Sequence, residues 1–261
     1  MKFKHFVLIL ILLAVCFGAV FFSFWEIPIE NIRIRNFLKQ ILPLCFCTPL
    51  VLFYLVKNQK KIFYSAKNFA YLLPCLLVAI NNLPFIPWIK GRCGFAEVSI
   101  VEFLLFVLYC ALVSAFEEFV FRGVLFSSLL GAFKKSKKGL LKAMVFSSLI
   151  FGFMHILNLF NGAGVVETIL QVGYSTLIGG LCVFVFVKTC NILCSVLIHG
   201  AYNFCGLIFD STIGLGNGVF FDTATIIITI IIGFAVAVFV LISLKNYSDR
   251  ERYCLYKTLE I

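Results

Sequence analysis

Charge is what this 261-residue chain has least of: Asp, Glu, Lys and Arg together make up 13% of it, about half the share in a soluble domain. With 62% hydrophobic residues and 32 Phe, too little polar side chain remains to clothe a surface facing water. A soluble globular domain is excluded. The apolar runs are continuous and lack the period-two alternation of a membrane β-strand, which excludes a barrel. Acidic residues are scarcer than basic ones, 12 against 22, for a net charge of +10. That excess does not indicate a nucleic-acid partner, because the basic residues gather in short loops between apolar runs. The eleven cysteines include no CxxC pair and fall mostly within those runs, where cysteine behaves as a small hydrophobe. Neither a disulfide framework nor a zinc knuckle follows. No internal repeat or low-complexity stretch interrupts the chain.

What is there is a succession of spans. The pattern predicts an all-α, polytopic helical membrane protein with about eight transmembrane helices: Phe6 to Trp25, Phe37 to Val56, Phe69 to Trp88, Val98 to Phe119, Leu140 to His155, Val165 to Val187, Ile192 to Phe209 and Thr223 to Leu244. The first follows Lys2 and Lys4 as a signal peptide would, but its apolar run has span length and no small-x-small cleavage site follows. The fourth continues past Arg122 to Phe133 and is too long for one straight perpendicular span at 1.5 Å per residue. It is expected to tilt, bend or split near its charges. The segment Glu26 to Gln40 is charged and mixed, and reads as a connector or an element resting at the outer interface. Lysines cluster after every second span, at Lys57 to Lys67, Lys134 to Lys142, Lys188, and Lys245 to Lys257. The positive-inside bias then puts both termini in the cytoplasm. The chain reads as one membrane domain, residues 1–261.

Against that background the acids can be audited one by one. Glu26, Glu30, Glu97, Asp210, Asp222, Asp249, Glu251 and Glu260 belong to loops, ends or tail, and Glu102 and Glu167 lie close enough to an interface to reach water. Only Glu117 and Glu118 are deep, in Ser114-Ala115-Phe116-Glu117-Glu118-Phe119-Val120-Phe121-Arg122, and Arg122 is the only deep cation. Ionisable groups at that depth are costly and mark function. Arg122 stands one turn after Glu118, so it can neutralise that carboxylate and leave Glu117 without a cation of its own. A carboxylate so placed is a candidate general base or acid. Two further histidines lie in spans: His155, in Phe151-Gly152-Phe153-Met154-His155, and His199, which shares a helix face with Asn203 four residues on. Counted from the lysine-rich ends at 1.5 Å per residue, Glu117, His155, His199 and Asn203 can meet at one level. The missing positive charge can be a shared proton, a protonated histidine or a divalent metal. Glu117, His155 and His199 also make up the ligand types of a catalytic zinc site with an open position for water.

EExxxR, then FxxxH, then HxxxN, in that order on separate helices, resembles the CAAX-protease and bacteriocin-processing (CPBP, or Abi) family of intramembrane proteases, which includes the type II CAAX prenyl endopeptidases. The resemblance covers residues 98–209. It implies an intramembrane active site in which Glu117 and His155 activate water, His199 and Asn203 stabilise the oxyanion, and Glu118 and Arg122 hold the site in shape. It implies a membrane-associated peptide or protein substrate, in bacteria with roles in bacteriocin processing or self-immunity. Zinc and a metal-free glutamate mechanism are both compatible with the residues. The metal-free one is preferred, because His199 and Asn203 in register suit an oxyanion clamp better than a ligand pair. The expected setting is the bilayer of a bacterial plasma membrane. The alternatives are a non-catalytic immunity or scaffold protein and a proton-coupled transporter. Complete motifs argue against the first, and the lack of inverted halves or paired broken helices argues against the second.

Overall fold

The computed structural model describes residues 14–19, 26–58, 61–63, 68–218 and 223–259. The expected first span falls mostly outside these residues, although 14–19 are helical. Apart from two isolated β-bridges, Phe63 with Asn191 and Phe95 with Gly216, the regular structure among the described residues is helical: α1 (Ile32–Lys57), a 3₁₀ turn (Phe69–Tyr71), α2 (Leu72–Asn81), α3 (Phe85–Ile89), α4 (Ile100–Glu118), a π-helical segment (Phe119–Phe126), α5 (Ser127–Ala132), α6 (Lys137–Met154), a 3₁₀ segment (His155–Asn161), α7 (Val165–Thr189), α8 (Ile192–Leu207), α9 (Thr223–Lys245) and α10 (Asp249–Leu259). Among the described residues, five helical stretches are long and apolar enough to cross a membrane: Ile32–Lys57, Ile100–Ala132, Lys137–Phe160, Val165–Thr189 and Thr223–Lys245. Phe69–Asn81 and Ile192–Leu207 are apolar but shorter.

The differences from the expected spans have local causes. The third does not run unbroken from Phe69 to Trp88. Its helix stops at Asn81 and a separate short helix begins at Phe85. Pro84 lies in the gap, and a proline both lacks an N–H and pushes the residue before it out of helical geometry. The segment expected as a connector after Glu26 splits: from Ile32 onward it is the first part of α1, started by Asn31, whose side chain accepts from the backbone N–H groups of Arg33 and Ile34. Glu102 does not reach water. It is buried in the capping box that begins α4, accepting from Ser99 N (2.8 Å) while Ser99 Oγ accepts from Glu102 N (3.2 Å), and it pairs with Arg33 at 3.2 Å. Lys188 is not in a loop but in the last turn of α7, buried against Glu251, Tyr71 and Tyr247.

The long fourth helix does change character where its charges lie. Regular α-helix ends at Glu118, the next eight residues are π-helical, and α-helix resumes at Ser127. The whole stretch of 33 residues is about 50 Å long at α-helical rise, well beyond a hydrocarbon core of about 30 Å. Around it, α1 and α8 pack against α4, α6 packs along α7, and α2 and α7 pack on α8. This α1–α4–α6–α7–α8 bundle surrounds the diglutamate. In contrast, α9 buries only Val236 and Ser243; Ile232, Phe239, Val240 and Leu244 are half-buried against the core, and most of its other apolar side chains face outward. None of the eleven cysteines forms a disulfide.

Candidate active site

The site is built on the junction between α4 and the π-helical segment. Such segments are rare and recur at functional positions, since one wider turn re-aims the side chains around it. Glu117 and Glu118 end the regular helix and Arg122 lies within the wide turns. Gly123 lets α1 approach there, because a Cβ at that position would fall 2.7 Å from Leu55 Cδ1.

Glu118 is fully buried, and its Oε1 collects two partners: Arg122 Nη1 at 2.9 Å and His199 Nδ1 at 2.8 Å. Arg122 is equally buried and donates from Nη2 to the Gly179 carbonyl of α7 at 2.8 Å. Its guanidinium lies over the Phe151 ring, 4.8 Å from the centroid, a contact that strengthens away from water. Gly179 is required by this approach, for a Cβ would meet Phe151 Cδ1 at 2.9 Å. A buried pair of charges needs further polar contacts to offset its lost hydration. Here His199, the Gly179 carbonyl and the Phe151 face supply part of them, while Glu118 Oε2 and Arg122 Nε have no hydrogen-bond partner among the described residues.

Glu117 differs from its neighbour. Its side chain keeps 20% of its surface exposed, and its Oε2 lies 3.4 Å from His199 Nε2. His199 therefore stands between two carboxylates, one at each ring nitrogen. A neutral imidazole has one N–H and one lone pair, so with both glutamates ionised one of those contacts would set a lone pair against an oxygen. One additional proton resolves it, as a charged His199 or a neutral Glu117. That proton also balances the charge that Arg122 leaves uncompensated.

His155 opens the 3₁₀ segment after α6. Its Nδ1 lies 3.1 Å from the Phe151 carbonyl, which can only accept, so Nδ1 carries the proton and the neutral ring keeps its lone pair on Nε2. The Phe151 ring joins the two histidines edge-on, with centroids 5.2 Å from His155 and 5.6 Å from His199. Asn203 donates from Nδ2 to Ser114 Oγ at 3.2 Å, and Ser114 in turn donates to the Cys110 carbonyl at 2.7 Å. This fixes the Asn203 amide about one turn before the diglutamate.

Of the six residues named from the sequence, four are in direct contact and two are linked to them only through a third residue. Glu117, Glu118, Arg122 and His199 touch directly. His155 joins through Phe151, and Asn203 through Ser114. Sequence reasoning gave no part to Phe151, Gly179, Ser114 or Cys182. The Gly179-Gly180 pair is the signal that could have pointed to a close helix approach, and Ser114 stands at the start of the charged motif. Cys182 carried no signal that set it apart from the other apolar-run cysteines. The zinc ligands considered from sequence, Glu117, His155 and His199, do not form the compact donor group. Among the described residues, the group whose ligand atoms lie within 4.8 Å of one another is Glu118, Cys182 and His199. It does not fit a catalytic metal, since Glu118 Oε1 and His199 Nδ1 are already bonded to each other and Arg122 lies against the same oxygen. A cation placed there would meet another cation.

Fold and site together define a polytopic helical membrane protein with a carboxylate–arginine–histidine cluster enclosed by its helices. Residues 99–205 match the family model of the type II CAAX prenyl endopeptidase Rce1-like proteins. The match is to the family that the three motifs resemble, and it covers every motif residue. No curated protein and no solved structure matches the chain.

Proposed function

We propose that the chain is an intramembrane endopeptidase that hydrolyses a membrane-associated peptide or protein at Glu117, with residues 98–209 as its catalytic core and no metal in the chemistry. The observation that carries this reading is the position of His199: Nδ1 on the buried Glu118–Arg122 pair, Nε2 facing the more exposed Glu117. The buried pair fixes the ring, and Glu117 is left as the carboxylate that water can reach.

In the active protonation state the extra proton is on His199 and Glu117 is ionised. Glu117 takes a proton from a water molecule held also by the His155 Nε2 lone pair. The water oxygen forms a bond to the scissile carbonyl carbon, and the carbonyl π-electrons move to its oxygen. That oxyanion is met by the His199 Nε2–H and by the Asn203 amide, which has a second N–H besides the one given to Ser114. Glu117 then delivers its proton to the amide nitrogen, the C–N bond breaks and the oxyanion returns to a carbonyl. Arg122 touches neither water nor substrate in this scheme. It positions Glu118, and through it His199.

The setting we propose is a bacterial plasma membrane with both termini in the cytoplasm, and the role is bacteriocin processing or self-immunity. The direct test is cleavage of a peptide library by the purified protein in liposomes. Wild type is expected to cleave, and Glu117→Gln to stay folded and lose about 10²–10⁴-fold in rate. Undiminished cleavage by the variant would overturn the assignment.

A further inference from the structure

The lysine-rich end of the bundle holds a feature that the peptidase reading does not use. Between the first turns of α6 and the last turns of α9 lies a crevice of about 290 Å³. Its walls are apolar, with Leu141 and Met144 from α6 and Leu241 from α9, and three lysines rim it: Lys137, Lys138 and Lys245. The three lysines are exposed and belong to no ion pair among the described residues. The acids nearest in sequence to this rim are already engaged, Asp249 by Arg252 at 2.7 Å and Glu251 by Lys188 at 3.3 Å. Lys137 bridges the crevice by donating from Nζ to the Lys245 carbonyl, which holds the two helix ends together at the rim while the walls below stay apart.

We infer that this crevice is a binding site for an anionic phospholipid, its phosphate on the lysine rim and an acyl chain between α6 and α9. Each half of the site calls for one half of that molecule. An apolar slot between membrane-crossing helices is filled by lipid chains whatever their headgroup. Three uncompensated lysines at its mouth select a negative headgroup, as basic pockets between transmembrane helices do. The scarcity of protein packing around α9 gives the lipid a structural part, because only Val236 and Ser243 of that helix are buried. A lipid lodged against α6 would supply contact that protein side chains do not.

The test is native mass spectrometry of the full chain released from mixed phosphatidylglycerol–phosphatidylcholine micelles, scoring the lipid that stays bound. Wild type should retain phosphatidylglycerol in preference to phosphatidylcholine. The triple variant Lys137→Gln, Lys138→Gln, Lys245→Gln should lose that preference, by on the order of a hundredfold in apparent affinity for three lysines. Leu141→Trp, which fills the slot and leaves the rim charges in place, should also lower retention. Equal retention of the two lipids by wild type, or unchanged preference in both variants, would overturn the inference. So would inorganic phosphate displacing the lipid at millimolar concentration, which would show a phosphate site without a chain. Because the readout is bound lipid, a failure here leaves the peptidase reading untouched, and an inactive wild type leaves the lipid site untouched.

Discussion

His199 is the residue on which the site turns. Its two ring nitrogens face two different carboxylates, and the difference between those carboxylates assigns their work. Glu118, with no exposed surface, is committed to Arg122 and the ring, whereas Glu117 keeps an open side. Removing Arg122 leaves Glu118 buried without its cation, which costs about 3–5 kcal/mol for a buried pair. Arg122→Ala is therefore expected to lower thermal stability in detergent, and to lower activity through loss of fold rather than of chemistry. A variant of unchanged stability and no activity would place Arg122 in the reaction itself. This much was legible in the sequence: deep charges are too costly to be idle, and the i, i+4 spacing named the pair. The contact of His199 with both glutamates was not legible, because it depends on how α8 rotates against α4. Nor was the part of Phe151. FxxxH marks its position, but not that its ring lies against Arg122 and both histidines.

At the scale of elements, the geometry depends on one helical irregularity and on close approaches at Gly123, Gly179 and Gly152. Gly179 brings α7 within reach of Arg122, and Gly152 brings α6 onto α7, where a Cβ would lie 2.0 Å from Thr176 Oγ1 and 2.8 Å from the Val172 carbonyl. Gly179→Ala should cost about 1–3 kcal/mol by overpacking and should displace Phe151 and Arg122 together. Retention of both wild-type stability and activity would show that the approach can relax. The break near the charged stretch was foreseeable from the length of the helix, but its π-helical form was not, since no residue of Phe119–Phe126 forces it. The interruption after Asn81 was marked by Pro84, and hydropathy alone passed over it. Helix α10, read from sequence as a tail, had its signal in Ser248 and Glu251. Ser248 N and Oγ donate to Glu251 Oε2 at 2.8 and 2.9 Å, and Glu251 N returns a bond to Ser248 Oγ, a capping box.

That box also makes α10 sensitive to acid. Burial pushes the Glu251 carboxyl up, but the Ser248 donors and the charge of Lys188 more than offset it and hold it below the usual carboxylate range. A carboxyl lowered in the folded state contributes stability that is present above its unfolded value and is lost as pH falls through the folded one. The hold of α10 on Lys188 should thus be intact at neutral pH and weaken as pH falls below about 4.3. A spin label on exposed Tyr253 should report greater mobility of α10 there. In Glu251→Gln the same mobility should already be present at pH 7, and a label insensitive to both changes would show that the contact does not hold the helix.

Across the whole molecule, composition was enough to establish a helical membrane protein, because 13% charge leaves no other way to satisfy so much apolar surface. It was not enough to count the spans. Hydropathy does not register a proline-broken helix, and the described residues contain five long apolar helices with two shorter ones. The lysine clusters argue for one orientation. Labels at Lys137 and Tyr253 should both be accessible from the cytoplasm in intact cells. Accessibility of either from the outside would reverse or break the proposed topology.

The central claim is that Glu117 activates water without a metal, with the proton near His199 supplying the charge that a zinc ion would otherwise bring. It is tested most directly by measuring zinc content and cleavage rate on one chelator-treated sample of the purified protein in liposomes. The account predicts undiminished cleavage at far less than one equivalent of zinc. Cleavage that disappears with the metal and returns when one equivalent of zinc is restored would contradict it.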